Sequence, residues 1–143
     1  MKKELIATFD ATGTGMSGAE GMISANCYRA GNLVFITGQT GITLDGKLVG
    51  VGDPAAQARQ ACENIKALIE MAGGTMDDIV KTITYVADPR YRETAYPMIR
   101  SFFTAETSRR KLNPCGTGIV VAGLARPELL VEIDAWGFID DPD

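Results

Sequence analysis

The sequence contains no histidine. That removes the commonest general base, the usual catalytic triads and the standard zinc sites. Positive charge is also short: 14 lysines and arginines against 18 aspartates and glutamates leave a formal net charge of −4. A nucleic-acid-binding surface needs a basic face. The one dense basic cluster, Arg109-Arg110-Lys111, reads equally well as a solvated loop. Cysteine is scarce: Cys27, Cys62 and Cys115 are an odd number, far apart, without a CxxC pair. They are expected to be reduced thiols of a cytoplasmic protein. No apolar run approaches the roughly 18–20 residues needed to cross a bilayer. Met1-Lys2-Lys3-Glu4 leads into a mixed segment that does not read as a signal peptide. No repeat, linker or low-complexity tract interrupts the chain. What remains is an ordinary globular composition, 45% hydrophobic and 22% charged over 143 residues, which suits one domain, 1–143.

Residues 2–9 read as a first strand. Asp10 to Ser24, rich in Gly, Thr and Ser, has neither helical nor strand period and is expected to be a loop, either a lid or a simple connection. Gly31-Asn32 lies between two short runs, Cys27–Ala30 and Leu33–Thr37, and predicts a hairpin. A further tight turn is expected at 44–48. The strongest local signal is DPAAQARQACENIKALIEMAG, 53–73. Asp53 is a capping residue, Pro54 suits the first helical position, and Gly73-Gly74 supplies the stop. Ala58, Cys62, Ile65, Leu68, Ile69 and Ala72 recur at helical spacing, which makes them a buried stripe. Gln57, Arg59, Glu63, Lys66 and Glu70 fall mostly on the opposite face.

Thr75 to Asp78 has the spacing of a capping box, and strand 79–87 follows. A second helix is expected over about 93–105, with Pro97 tolerable if it falls in the first turn. Strands at 118–122 and 129–138 complete an α+β domain with a mixed sheet of about six strands and two helices on one face. The last strand is apolar on one side and nearly so on the other (Leu130, Trp136). With no helix left to cover that second side, burial against other copies of the chain is expected.

Strand alternation puts Glu132 and Asp134 on one face with Leu130 and Trp136. Partial desolvation there would raise a carboxyl pKa and suit a general acid or base, while a salt-bridged or edge-exposed pair is the plainer alternative. NPCGTGIVVAG, 113–123, frames backbone donors at the mouth of a strand, but no GK[ST] follows, so it is not a phosphate loop. Gly13-Thr14-Gly15 is equally weak. Cys115 lacks a histidine partner and an activating group, so it is a poor nucleophile. Tyr85, Tyr91 and Tyr96 read as packing residues rather than acids, with one of them a candidate to line a pocket.

GNLVFITGQT (31–40), the long helix-turn-strand of 53–86, FF (102–103) and PELLVEIDA (127–135) together resemble the reactive-intermediate deaminase (RidA/YjgF) family, over about 26–135. The resemblance implies a chorismate-mutase-like fold assembled as a homotrimer with clefts between subunits. It implies hydrolysis of small enamines and imines such as 2-aminoacrylate, with release of ammonia and no metal or organic cofactor. Glu132 falls on the glutamate held to position or activate water, and Gly38 on the glycine at the cleft. Tyr96 matches the place of a cleft asparagine, and Ser24 that of a cleft tyrosine.

One departure stands out. The family's Pro-x-Arg-[Ser/Thr] motif, whose arginine grips the substrate carboxylate, reads here Pro114-Cys115-Gly116-Thr117. Losing such a charge-assisted pair typically costs about 2–5 kcal/mol of binding. The sequence therefore reads as a divergent member with a larger pocket, in which Gly116, Thr117 and Gly118 supply polar contacts. Arg109, Arg110 or Arg126 is the candidate replacement cation. The expected function is an enamine or imine deaminase acting on a 2-aminoacrylate-like or 2-aminomuconate-like compound. The alternative is a non-catalytic small-molecule-binding or regulatory trimer. Acidic charge and absent histidine argue against the ribonuclease activity attached to some relatives.

Overall fold

The computed structural model describes residues 2–10 and 23–140; the expected lid at 10–24, with Gly13-Thr14-Gly15, lies mostly outside the described residues. Six strands and two helices follow in the order β1 (Lys3–Asp10), β2 (Ile23–Ala30), β3 (Leu33–Gln39), α1 (Pro54–Met71), β4 (Ile79–Val86), α2 (Arg92–Phe103), β5 (Cys115–Val120) and β6 (Val131–Phe138). They form one sheet of order β1-β2-β3-β6-β4-β5, antiparallel throughout except for the parallel β4–β5 pair. A parallel pair needs a long crossover, and α2 supplies it. α1 does the same for β3 and β4, which β6 enters between.

The local signals work as chemistry predicts. Gly31 takes a φ of 62° in the β2–β3 turn, a conformation that costs glycine little. Asp53 accepts the Ala56 N–H at 3.0 Å at the start of α1, and Gly73, at φ 95°, ends it. The Asp78 carboxylate accepts the Thr75 N–H at 2.7 Å and closes the short turn before β4. Ala58, Cys62, Ile65, Leu68 and Ile69 of α1 are fully buried against Val34 of β3 and Val131, Ile133 and Ala135 of β6. Burial pushes the Cys62 thiol up to about 12 and the Cys27 thiol up to about 11, which leaves both unreactive.

Four details differ from expectation. Gln57 is fully buried rather than outward. Its amide donates to the Glu128 carbonyl at 2.8 Å and accepts the Leu130 N–H at 2.8 Å, so it fixes the approach to β6. β2 begins at Ile23, because residues 23–25 pair with Thr8, Phe9 and Asp10. β5 begins at Cys115, not at Gly118, so Gly116 and Thr117 are strand residues rather than a loop at a strand mouth. Pro97 is the sixth residue of α2, outside the first turn. A 3₁₀ turn over Pro89–Tyr91, capped by Asp88, runs straight into the helix, which starts at Arg92. Phe103 is buried at the end of α2.

Both helices lie on one face of the sheet. The register lines up Tyr28, Phe35 and Trp136 on the other face, with Leu33 opposite Phe138. Leu33, Phe35 and Phe138 are each more than 40% exposed in the single chain.

Candidate active site

Along β6 the odd positions Val131, Ile133 and Ala135 are buried, and the even positions Glu132, Asp134 and Trp136 are half-buried on the open face. β4 brings Tyr85 opposite Glu132 and Ile83 opposite Asp134. The Tyr85 hydroxyl donates to the Asp134 carboxylate at 3.1 Å. On the other side, β3 pairs Ile36 with Ala135 and then Gln39 with Ile133, so Thr37 and Gly38 bulge together across from Asp134. A Cβ at Gly38 would stand 2.8 Å from the Glu132 carboxyl carbon and 2.9 Å from an Asp134 oxygen. Glycine is present there because two carboxylates occupy the side-chain space. Buried Gln39 steadies the bulge by donating to Asn26 at 2.6 Å and to the Thr37 carbonyl at 3.0 Å.

Burial, and secondarily the charge of Asp134, raises the pKa of Glu132 above the ordinary carboxylate value. The Tyr85 hydroxyl is also raised, first by burial and then by Asp134 and Glu132. An adjoining hollow of about 340 Å³ is bordered by Tyr28, Phe35, Thr37, Asp134 and Trp136. A carboxyl group with a raised pKa beside this hollow can exchange a proton with water or with a bound ligand.

The second group of residues lies on the other side of the sheet. In β5, Gly116 pairs with Thr82 and Gly118 with Thr84, both on the helix side. They border a groove of about 220 Å³ between α2 and the β4–β5 edge. The Tyr96 hydroxyl fills the position that a Cβ of Gly118 would take, and the Arg92 guanidinium stacks 5.8 Å from the Tyr96 ring centroid. Thr117 pairs with Ile83, so alternation gives it the face of Glu132 while its strand borders the groove. β5 is an edge strand, and all six of its residues are exposed.

The residues singled out in the sequence thus fall into two sets. Glu132 meets Gly38, and Tyr96 touches Gly118 and borders one groove with Gly116, but the sheet separates the two sets within one chain. Ser24 belongs to neither: it lies on β2, where it pairs with Phe9 of β1, and β3 stands between it and β6. None of the three arginines considered as replacement cations borders either hollow. Arg109 is held to Asp77, by its N–H at 2.9 Å and its guanidinium at 3.6 Å. Arg100 of α2 does border the groove, as do Asn113 and the buried Thr82 and Thr84. The sequence reading missed it, although its place one turn beyond Tyr96 was a usable signal. It also missed the Tyr85–Asp134 pair, which exists only through the β4–β6 register.

Among the described residues, no helix is long and apolar enough to cross a membrane. A model of the family described as endoribonuclease L-PSP matches residues 18–139. The YjgF gene product of E. coli is 31% identical over 80% of this chain and 87% of its own, with a TM-score of 0.72. Rv2704 of Mycobacterium tuberculosis, of the YjgF/YER057c/UK114 family, is 31% identical over 81% of this chain and 86% of its own, with a TM-score of 0.69. E. coli TdcF with bound serine is 27% identical over 86% and 92%, with a TM-score of 0.74. The chain, with its two helices on a mixed six-stranded sheet, belongs to the YjgF/RidA family.

Proposed function

We propose that the protein is a cytoplasmic hydrolytic deaminase of small enamine or imine intermediates, of the 2-aminoacrylate or 2-aminomuconate kind, and that it works as a homotrimer. The observation that carries this is Glu132: a half-buried carboxyl with a raised pKa, in a space that Gly38 keeps clear. An enamine first tautomerises to its imine. Glu132 as carboxylate takes a proton from water as the water oxygen adds to the imine carbon. The carboxyl passes that proton to the imine nitrogen, which gives the neutral carbinolamine. It then relays the carbinolamine hydroxyl proton to the amino group as the C–N bond breaks, so that the carbonyl product and ammonia leave and the carboxylate is restored. A pKa nearer neutrality serves both transfers.

The two residue sets come together if the Glu132 face of one copy meets the groove of a second. The exposed apolar residues Leu33, Phe35 and Phe138 on the sheet face of Glu132 favour that contact, since burying such a patch drives association. Glu132 with Gly38 would then supply the water chemistry, and Tyr96, Gly116, Thr117 and Gly118 would line the ligand side. Ser24 enters this account only if another copy brings it to the cleft. TdcF holds serine, a small amino acid of the size such a cleft would take.

Gly116 favours a second reading, a trimer that binds a small molecule without turning it over, because the arginine of the family motif is gone. A ribonuclease role is disfavoured by the acidic charge and by the tying of Arg109 to Asp77. The deciding experiment follows ammonia release from 2-aminoacrylate and 2-aminomuconate with wild type and Glu132→Gln. Release that disappears in the variant supports the deaminase; no release from either compound by wild type favours the binding protein.

A further inference from the structure

The groove between α2 and β5 carries features that its packing does not explain. Thr82 and Thr84 are 6% and 7% exposed and border it, yet neither hydroxyl has a hydrogen-bond partner among the described residues. Buried polar groups are rarely left so, and a pair facing one hollow points to an outside partner. Arg100 is the only charged residue lining the groove among the described residues, and its guanidinium makes no hydrogen bond or ion pair among them. Ile99 and Phe103 give the same groove apolar wall.

Gly116 does not owe its identity to crowding. A Cβ there would meet Thr82 Oγ1 at 3.5 Å and the Pro114 carbonyl at 3.8 Å, ordinary contacts, and its φ is not positive. The missing side chain simply leaves space beside Arg100.

We propose that Arg100 is the anion anchor of this groove: it takes the carboxylate of a small ligand by charge-assisted hydrogen bonds, with the Thr82 and Thr84 hydroxyls as further partners. The cation is thereby supplied from the helix rather than from position 116 of the strand, and the space freed at Gly116 stays open to the ligand. The proposal rests on the deaminase reading for the ligand's class, a small carboxylic acid with a short carbon chain, but not for its geometry.

Calorimetric titration with pyruvate and with its uncharged amide, pyruvamide, tests it on the intact protein. Arg100→Gln is expected to weaken pyruvate binding by about tenfold or more, in line with loss of a charge-assisted pair, and to leave pyruvamide within about twofold. Arg100→Lys should lose less. Adding Gly116→Arg to Arg100→Gln should restore pyruvate binding, since the space for that side chain exists. No pyruvate binding by wild type, an unchanged affinity in Arg100→Gln, or an equal loss for pyruvamide would each overturn the proposal. The two ideas fail separately. Arg100-dependent pyruvate binding without ammonia release by wild type sinks the deaminase and leaves the anchor. Ammonia release with Arg100-independent binding does the reverse.

Discussion

Replacing Gly38 with alanine adds one methyl group to the crowded side of Glu132. The new Cβ would stand 2.8 Å from the Glu132 carboxyl carbon and 2.9 Å from an Asp134 oxygen, where ordinary contact begins at 3.4 Å. The carboxyl has to retreat by at least about 0.6 Å to restore van der Waals distance. Both neighbours are side-chain ends, so they can move without disturbing the strand. Gly38 has no positive φ, and alanine there reduces unfolded-state entropy, worth about 0.4–1 kcal/mol in favour of folding. Stability should therefore change by no more than about 1 kcal/mol in urea unfolding. Catalysis should suffer far more. Displacing a catalytic group by about 1 Å costs on the order of a hundredfold, so kcat for ammonia release should fall roughly ten- to a hundredfold with little change in KM. A folded Gly38→Ala protein with kcat within twofold of wild type would refute the claim that Gly38 exists to seat the carboxyl.

Other consequences follow from the same geometry. The raised pKa of Glu132 means its folded-state contribution is fully present below the unfolded carboxyl value and is lost as pH rises through the folded value. Glu132→Gln should thus raise Tm at neutral pH and show no gain at acid pH, in thermal scans across pH. The same pKa places the rising limb of kcat/KM above the ordinary carboxylate range, and a profile flat down to pH 4 would contradict it. Gln57→Leu leaves the Leu130 N–H and the Glu128 carbonyl without their partner, and should cost roughly 2–4 kcal/mol in urea unfolding. Phe35→Glu places a charge in the aromatic row of Tyr28, Phe35 and Trp136 on the open face, and should shift the particle toward monomer in light scattering at micromolar concentration.

Much of the fold was legible because its signals are local. α1 announces itself through Asp53, Pro54, one apolar stripe and Gly73-Gly74, and the hairpin through Gly31-Asn32. The failures share a cause: contact between distant segments. Cys115-Gly116-Thr117 lacks apolar alternation because an exposed edge strand needs none, so only pairing with β4 reveals it. Gln57 sits at the border of the stripe and is buried by backbone more than seventy positions away. For the site, the alternation of β6 was enough to mark Glu132 as partly desolvated. That Tyr85 holds Asp134, and that Arg100 overlooks Gly116, depends on register and on helix placement, which no spacing within one segment encodes.

The central claim is a single catalytic site built from two copies, Glu132 from one and the Gly116 groove from another. Subunit mixing tests it most directly. Glu132→Gln removes the carboxyl, and Gly116→Trp plugs the groove; each purified oligomer, folded by circular dichroism, should release no ammonia from the substrate that wild type turns over. Unfolded together at equal amounts and refolded, random assembly in a symmetric ring gives about a quarter of the sites an intact half from each chain. The account predicts recovery to about a quarter of wild-type activity. Mixed oligomers that form and stay inactive would contradict it.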